Sequence, residues 1–357
     1  MTLHSLHLTQ FRSWSRLEIT LDHRPVAIHG PNGAGKTNIL EAISMLAPGR
    51  GMRGAMPADQ ARKGPDVGWQ IRALIGERQV QTRALPGLAR EVTVDDKAST
   101  QLALGRLMRV IWLTPAMDRL WTDAPETRRR FLDRVTLSFT PAHAEDALGY
   151  EKAMRERNRL LRDEVRDAGW YRALELQMAD MGAAITRNRL DAIARIMAAQ
   201  DGAATAFPAA HLTLLAGEGC ADDPDPESIT ARLAQTRDRD MAAGRTLTGP
   251  HRADLGAHWG PQDMPAALSS TGEQKALLLS LILANARALA DERPVLLLDE
   301  VAAHLDADRR AALYDEITGL SAQTFLTGTG PELFETLQTR AQFLSIARDG
   351  DTSRIDD

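Results

Sequence analysis

The sequence predicts an α/β fold with three parts: a mixed central sheet, an antiparallel sheet near the N-terminus and an inserted helical lobe. Polar and apolar residues alternate over the first twenty positions, which is typical of half-buried strands. A short apolar run at 25–29 leads through a glycine-rich loop into helical spacing. Between about 126 and 200 arginine becomes dense and apolar residues recur every three to four positions, which predicts helices.

The strands are predicted from alternation and from apolar runs. Leu3, Leu6 and Leu8 mark one N-terminal strand, and the alternating run 17–21 is its hairpin partner. Residues 67–94 alternate again, with turn signals at 76–77 and 86–87, and predict a small antiparallel sheet. The continuous apolar runs 110–113 and 295–298 predict strands buried on both faces.

The glycine-rich loop matches the phosphate-loop pattern G-x-x-x-x-G-K-[ST] at every fixed position. Glycines let backbone N–H groups converge on a phosphate, and Lys36 would neutralise the outer phosphates. The hydroxyl of Thr37 is the expected ligand of Mg²⁺, and the following helix directs its positive end at the phosphates. The loop therefore predicts a site for ATP with Mg²⁺. Its residues are Gly30, Pro31, Asn32, Gly33, Ala34, Gly35, Lys36 and Thr37.

Two adjacent carboxylates, Asp299 and Glu300, end the apolar run at 295–298. Charges at the end of a buried strand are costly unless they have a function. Beside a phosphate loop, Asp299 is the expected Mg²⁺ ligand and Glu300 the expected catalytic residue that polarises the attacking water.

The stretch from about 126 to 200 predicts a pair of antiparallel helices. Met154, Leu161 and Val165 fit one helix, residues 174–196 carry the stripe of another, and Gly169 lies between them. The simplest interpretation of these stripes is that they form the core of the lobe.

The composition excludes several classes of protein. The single cysteine, Cys220, can form neither an internal disulfide nor a cysteine metal cluster. No run approaches the ~18 apolar residues of a membrane span, and the first residues lack the pattern of a signal peptide. We therefore expect a cytoplasmic protein with no membrane partner.

A third motif precedes a leucine-rich helix just upstream of the acid pair. Its residues are Ser270, Thr271, Gly272 and Glu273. Their spacing fits an ordinary helix-capping box. In this position they also resemble the signature motif of ABC ATPases, which binds the γ-phosphate held by another subunit. Residues 303–306, which include His304 and Asp306, resemble the dimer-contact loop of the same class.

The order and spacing of short blocks resemble the RecF family of bacterial DNA replication and repair proteins. The blocks span residues 6–14, 30–43, 128–133, 150–161, 249–255 and 270–275. The resemblance implies an ABC-type ATPase head, for which we expect residues 1–115 and 240–357, with a compact arginine-rich lobe at 116–239. It also implies a slow ATPase that forms an ATP-dependent homodimer, binds DNA at gaps between single and double strands, and acts with RecO and RecR to place RecA.

The same resemblance assigns roles to individual residues. Arg12 and Asn38 would lie near the nucleotide, and residues 270–273 would act in trans. Two departures stand out, since residues 324–329 contain no switch histidine and residues 113–115 occupy the place of the usual glutamine loop. Both departures fit a slow ATPase used as a timer.

Local arginine clusters are the candidate DNA contacts. Arg128, Arg129 and Arg130 form one cluster, and Arg155 and Arg159 lie about one turn apart in another. Acidic residues interleave with the arginines, so a solvated or salt-bridged face is an alternative for either cluster. With a formal net charge of −5, any DNA-binding surface must be a local patch.

Three alternatives to a DNA-repair ATPase remain. A transporter nucleotide-binding subunit is disfavoured by the missing switch histidine and by the arginine-rich insertion. A fragment of an SMC/Rad50-like machine is disfavoured by the lack of long heptad runs. A binding module that uses ATP only as a dimerisation ligand is disfavoured by the intact pair Asp299 and Glu300.

Overall fold

The computed structural model describes residues 2–64, 67–217, 225–260 and 263–356, so Cys220 lies outside the described residues. Internal contacts divide the chain into two compact units. The first unit comprises Met1–Asp118, Gly202–Phe207 and Leu278–Asp357, and the second comprises Arg119–Asp201 and Pro208–Leu277. The domain boundaries expected from the sequence differ from this division, mainly because they place residues 240–277 with the head.

Strands and helices follow one another along the described residues. The strands are β1 (Leu3–Phe11), β2 (Trp14–Thr20), β3 (Val26–His29), β4 (Trp69–Ile75), β5 (Arg78–Ala84), β6 (Glu91–Val94), β7 (Lys97–Ser99), β8 (Val110–Leu113), β9 (Ala210–Leu215), β10 (Asp254–Trp259), β11 (Met264–Pro265), β12 (Val295–Leu298), β13 (Gln323–Gly328), β14 (Gln342–Asp349) and β15 (Thr352–Asp356). The helices are α1 (Lys36–Ser44), α2 (Pro57–Gln60), α3 (Gln101–Leu107), α4 (Pro125–Phe139), α5 (His143–Arg162), α6 (Ala168–Gln200), α7 (Pro226–Gln235), α8 (Arg237–Ala243), α9 (Thr271–Ala288) and α10 (Ala307–Gly319).

The antiparallel sheet of the first unit has the order β2-β1-β4-β5-β6-β7. Alternate residues of β4 are buried, as the alternating sequence predicts for a sheet with one face on the core. The N-terminal hairpin and the run 67–94 therefore belong to one sheet, because β1 pairs with both β2 and β4.

The central sheet of the first unit has the order β15-β14-β3-β13-β12-β8. Strands β8, β12, β13, β3 and β14 pair in parallel, and β15 joins the edge antiparallel to β14. All four residues of β12 are buried, which explains why its sequence is a continuous apolar run. Because β3 and β12 both pair with β13, the residues that follow them meet at one edge of the sheet.

The second unit contains the arginine-rich helices and a small sheet of order β11-β10-β9. Helices α5 and α6 are antiparallel, since Arg157 bonds Glu175 at one end while Asn188 bonds Asp146 at the other. The predicted helix pair is thus confirmed, with two corrections. Val165 lies beyond the first helix, because α5 ends at Arg162. Gly169 lies in the first turn of α6 rather than between the helices, because Asp167 caps the helix by accepting a hydrogen bond from the Gly169 N–H.

The guanidinium of Arg157 is completely buried in the second unit. It donates to Glu175 (3.2 Å), Asp240 (2.7 Å), Thr246 (2.8 Å) and the carbonyl of Leu233 (2.9 Å). These bonds tie α5 to α6, α7 and the end of α8, with every partner supplied by the same unit.

Among the described residues, none of the helices combines the length and the apolar character needed to cross a bilayer.

Candidate nucleotide-binding site

The glycine-rich loop has the conformation that its glycines predict. Gly30, Gly33 and Gly35 have φ angles of 147°, 77° and 109°, a region that side-chain-bearing residues rarely adopt. A Cβ atom on Gly30 would lie 2.1 Å from the carbonyl oxygen of Ile346, and one on Gly35 would lie 2.3 Å from the Ser353 hydroxyl. The loop is therefore fixed between β3 and α1 by contacts that exclude larger residues.

Lys36, the first residue of α1, lies across the loop that precedes it. Its Nζ donates to the carbonyl oxygens of Gly30 (2.7 Å) and Pro31 (2.9 Å), and the residue is 4% exposed. Burial lowers the pKa of Lys36, against the opposing attraction of Glu300 and Asp299. The lysine is thus held where it can meet a phosphate that enters the loop.

The carboxylate of Asp299 joins two hydroxyl groups from different parts of the chain. Thr37 Oγ1 and Thr327 Oγ1 donate to Asp299 Oδ1 over 2.9 Å and 2.8 Å. Burial raises the pKa of Asp299, and the hydrogen bonds from Thr327 and Thr37 oppose that shift. The structure therefore places Asp299 beside the phosphate loop, as the sequence predicts.

Glu300 follows with an unusual backbone conformation. Its φ angle is 56°, in the left-handed region, and its N–H donates to Thr327 Oγ1 over 2.9 Å. Residues held in this region cluster at functional sites, because the surrounding structure must stabilise them. Glu300 is partly exposed and follows directly after Asp299 at the end of β12.

Several residues that support the phosphate loop belong to none of the sequence motifs. The Ser353 hydroxyl of β15 donates to the carbonyl of Ala34 (2.5 Å) and bonds Ser13 (2.6 Å), whose oxygen accepts from Asn38 (2.8 Å). Arg348 Nη1 donates to the carbonyl of Gly33 (3.1 Å). Asn38 thus lies beside the loop, while β14 and β15 supply side chains from more than 300 residues away.

Arg12 forms an ion pair with Glu41, a carboxylate to which the sequence motifs assign no role. Its Nε and Nη2 donate to Glu41 over 2.9 Å and 2.6 Å, and Nη1 donates to the carbonyl of Asp59. Arg53 bonds the same carboxylate (3.2 Å) and Asn38 (3.0 Å). Since Glu41 is fully buried on α1, it fixes both arginines relative to the phosphate-loop helix.

The oxygen atoms around Asp299 fit the predicted Mg²⁺. The hydroxyl of Thr37 and the carboxylate of Asp299 are hard oxygen donors, which Mg²⁺ prefers, and they lie within hydrogen-bond distance of each other. A cation there would also favour the ionised form of Asp299, which burial alone disfavours.

The signature-like turn has the geometry of a capping box at the start of α9. The backbone N–H and hydroxyl of Ser270 donate to Glu273 over 2.8 Å and 2.7 Å. Ser270, Thr271 and Gly272 are exposed, and Leu268 just before them is 77% exposed. A turn that caps its own helix and faces solvent is open to a ligand or a second chain.

The dimer-contact-like loop runs from a short 3-10 turn, Val301–His304, into α10. Asp306 is exposed and caps α10 by accepting a hydrogen bond from the N–H of Arg309 (2.8 Å). The side chain of His304 lies outside what the structure describes.

Comparison with known proteins decides the family. A family model described as an AAA domain matches residues 5–66. The chain is 46% identical to the DNA replication and repair protein RecF of Mesorhizobium japonicum, over 96% of this chain and 95% of that protein. It is 45% identical to the protein of the same name from Caulobacter vibrioides, over 99% and 98%. The chain belongs to the RecF family.

Solved structures agree on the fold. The chain aligns with a structure described as the recombination mediator protein RecF-ATP in the RecFOR pathway, with a TM-score of 0.83 and 21% identity, over 99% of this chain and 98% of that one. It aligns with an Smc head domain from Pyrococcus furiosus with a TM-score of 0.59 and 17% identity, over 99% and 95%. The predicted α/β fold with an ABC-type ATPase head is confirmed.

The candidate DNA-contacting arginines differ in their exposure and in how many hydrogen bonds they form within the protein. Arg128 is 14% exposed at its side chain, forks onto Asp254 (2.9 and 2.7 Å) and donates to backbone carbonyls of residues 120–123. Arg129 donates to the carbonyl of Ala253 (2.9 Å), and burial lowers its pKa.

The other candidate DNA-contacting arginines are more exposed to solvent. Arg130 is 77% exposed beside Glu126, and Arg159 is 62% exposed beside Glu156. Arg155 is exposed as well. Because surface ion pairs are weak, the arginines of these pairs can exchange a carboxylate for a phosphate at little cost. Arg128 would first have to break its bonds to Asp254 and to three backbone carbonyls.

Proposed function

We propose that the chain is an ATP-dependent DNA-binding protein of recombinational repair, which dimerises on ATP, binds gapped DNA and hydrolyses ATP slowly. Membership of the RecF family supports a role in DNA replication and repair. The observation that carries the ATP part is the junction of Lys36, Thr37, Asp299 and Glu300 at one edge of the central sheet.

The chemistry of each residue follows from its position. Lys36 would meet the outer phosphates in the loop, and Thr37 with Asp299 would hold Mg²⁺. When bound, Mg²⁺ neutralises charge on the phosphates. Glu300, which is partly exposed, would orient the attacking water or accept a proton from it.

The exposed signature-like turn supports a homodimer. Ser270 and Gly272 would bind the γ-phosphate of an ATP held by a second copy of the chain, because an exposed helix N-terminus attracts anions. The 3-10 turn and cap at 301–306 would lie in the same contact. ATP would then act as a ligand shared by two chains.

Exposed arginines support the DNA part. Arg130, Arg155 and Arg159 would bind phosphates without reading bases, while Arg128 would hold the surface in shape. A structure placed in the RecFOR pathway supports RecO and RecR as functional partners. RecA is added on the resemblance to the RecF family alone.

The substitution Glu300→Gln tests the ATPase. We expect hydrolysis to fall about 10²- to 10⁴-fold while ATP still binds, because a positioned base contributes about that factor. Light scattering with and without ATP then reports a dimer that persists in the variant. Hydrolysis at the wild-type rate would remove Glu300 from the mechanism.

A DNA titration tests the second half of the proposal. Binding to a gapped duplex should require ATP and weaken with salt, and each phosphate-binding arginine changed to Ala should lower the salt slope by about one. ATP-independent binding would contradict the proposal. Dimerisation without turnover would instead favour a nucleotide-switched binding module.

A further inference from the structure

Thr327 occupies the centre of the site but belongs to none of its motifs. It lies on β13, level with Ile28 of β3, the strand that leads into the phosphate loop. On the other side of β13, Leu326 pairs with Leu298, the last residue before Asp299. The residue is 1% exposed, so its side chain is enclosed by the protein.

The hydroxyl of Thr327 is bonded to both members of the acid pair. It donates to Asp299 Oδ1 over 2.8 Å and accepts the N–H of Glu300 over 2.9 Å. A hydroxyl can donate and accept at once, whereas a valine of the same shape can do neither. Removing the hydroxyl would leave the N–H of Glu300 without its acceptor and the Asp299 carboxylate with one donor fewer.

The second of these bonds matters because of the backbone at Glu300. Its left-handed φ of 56° is unfavourable for a residue with a Cβ and must be held by its surroundings. The bond from the Glu300 N–H to Thr327 fixes that peptide, and with it the origin of the glutamate side chain.

We propose that Thr327 is the positioning residue of the acid pair: it fixes the Asp299 oxygen that would face Mg²⁺ and the backbone from which Glu300 would reach water. The sequence places no histidine on this strand, where ABC transporters have their switch histidine. Here the strand carries a threonine whose hydroxyl bonds both members of the acid pair. This inference rests on the proposed ATPase function.

Three substitutions and one matched control test the role in the full-length chain. Thr327→Val removes the hydroxyl at constant shape, Thr327→Ser restores it, and Thr327→Cys supplies a weaker hydrogen-bonding group. Thr324→Val is the control, because Thr324 is fully buried on the same strand and its hydroxyl finds no hydrogen-bond partner in the part of the chain that the structure describes. Circular dichroism melts report the folding of each variant.

The readouts separate positioning from general stability. For Thr327→Val we expect turnover to fall and the half-saturating Mg²⁺ concentration for ATP binding to rise, each about 10- to 100-fold, as for other residues that orient a ligand. The KM for ATP at saturating Mg²⁺ should change less than about twofold, since Lys36 and the loop are untouched. Serine should recover most of the loss, and cysteine should fall between serine and valine.

Several results would overturn the inference. It is wrong if Thr327→Val matches the wild type, if Thr324→Val causes the same loss, or if serine fails to recover Mg²⁺ dependence. Should the valine variant not fold, the order of serine and cysteine decides. A wild type that binds Mg²⁺ and ATP without turnover would contradict the proposed ATPase alone, because Mg²⁺-dependent ATP binding still tests Thr327.

Discussion

Glu41 shows how much a single buried carboxylate can organise. It is fully buried on α1 and bonds two arginines whose side chains are 20% and 43% exposed. Glu41→Gln should lower the free energy of unfolding by about 1–3 kcal/mol, because the amide has one accepting oxygen where the carboxylate has two, and its NH2 group would face an arginine donor. Urea denaturation measures the change. Glu18→Gln is the control, since Glu18 is 58% exposed beside Arg16 and should change stability little.

His251 gives a prediction at acidic pH. Its Nδ1 faces the Tyr150 hydroxyl (2.9 Å) and its Nε2 the carbonyl of Thr246 (3.2 Å). Burial lowers the pKa of His251 to about 4, helped by Arg252 and Arg129 and opposed by the Thr246 bond and Asp240. The imidazole is therefore neutral in the folded state at pH values where an unfolded chain, with a pKa of about 6.5, begins to bind a proton.

A depressed folded-state pKa means that the stability is complete above about pH 6.5 and is lost as the pH falls toward 4. The loss should reach about 3 kcal/mol. In His251→Gln this loss should disappear, as measured by urea unfolding at a series of pH values. The exposed His211, changed to Gln, should leave the wild-type pH dependence intact; equal slopes in all three proteins would contradict the prediction.

Motif residues at this scale were predictable because their partners are local or their type is dictated by chemistry. The loop 30–37 and the pair Asp299 and Glu300 follow from the sequence alone. Thr327 and Ser353 were not predictable, since their partners are set by the packing of β13 and β15 against distant strands. A threonine or serine in a strand carries no signal of such a bond.

At the scale of elements, the lobe is held by a buried ionic network rather than by apolar stripes alone. Arg157→Met should lower the free energy of unfolding by about 3–5 kcal/mol, because it leaves Asp240 buried without its arginine and Glu175 with Arg237 alone. The urea midpoint of the purified chain reports it. Arg159→Met, at a position 62% exposed on the same helix, should cost less than about 0.5 kcal/mol. Similar losses in the two variants would show that the network adds nothing.

The helices and strands were predictable where the apolar period was clear. Buried strand β12 and the antiparallel pair α5 and α6 follow from their sequences. The burial of Arg157 was not predictable, because the sequence places it beside exposed arginines of the same helix. Burial of one arginine among several depends on which face meets α6 and α8, and periodicity does not resolve that for charged residues.

At the scale of the whole molecule, a substitution at Gly272 distinguishes the stability of the single chain from the affinity of the ATP-dependent dimer. A Cβ on Gly272 would have no heavy atom within 4 Å among the described residues, so Gly272→Ala should leave the lone chain as stable or slightly more stable. If a second copy presents its phosphate there, the same methyl group should weaken the ATP-dependent dimer at least about tenfold, or about 1.4 kcal/mol.

The matched control is Gly319→Ala in α10, where an added Cβ also meets open space within the described chain. Light scattering with ATP across a concentration series measures both variants. If Gly272→Ala dimerises like the control, the signature-like turn does not contact a partner chain.

The order of blocks along the chain predicted the fold, but the sheet order did not follow from it. Strand β3 lies between β13 and β14, which come about 300 residues later. Such pairings are decided by the packing of complete units. Residues 240–277 likewise belong to the second unit because of their contacts within that unit, and composition cannot show such contacts.

The left-handed backbone of Glu300 affects the thermal stability of the chain. An L-residue there costs on the order of 1 kcal/mol that glycine would avoid, so Glu300→Gly should melt above Glu300→Ala in thermal denaturation. The reverse order would show that the backbone is not strained. A more stable protein is therefore one substitution away, at the expense of the carboxylate. The proposed catalytic carboxylate therefore stands at a position where glycine would fit the backbone better.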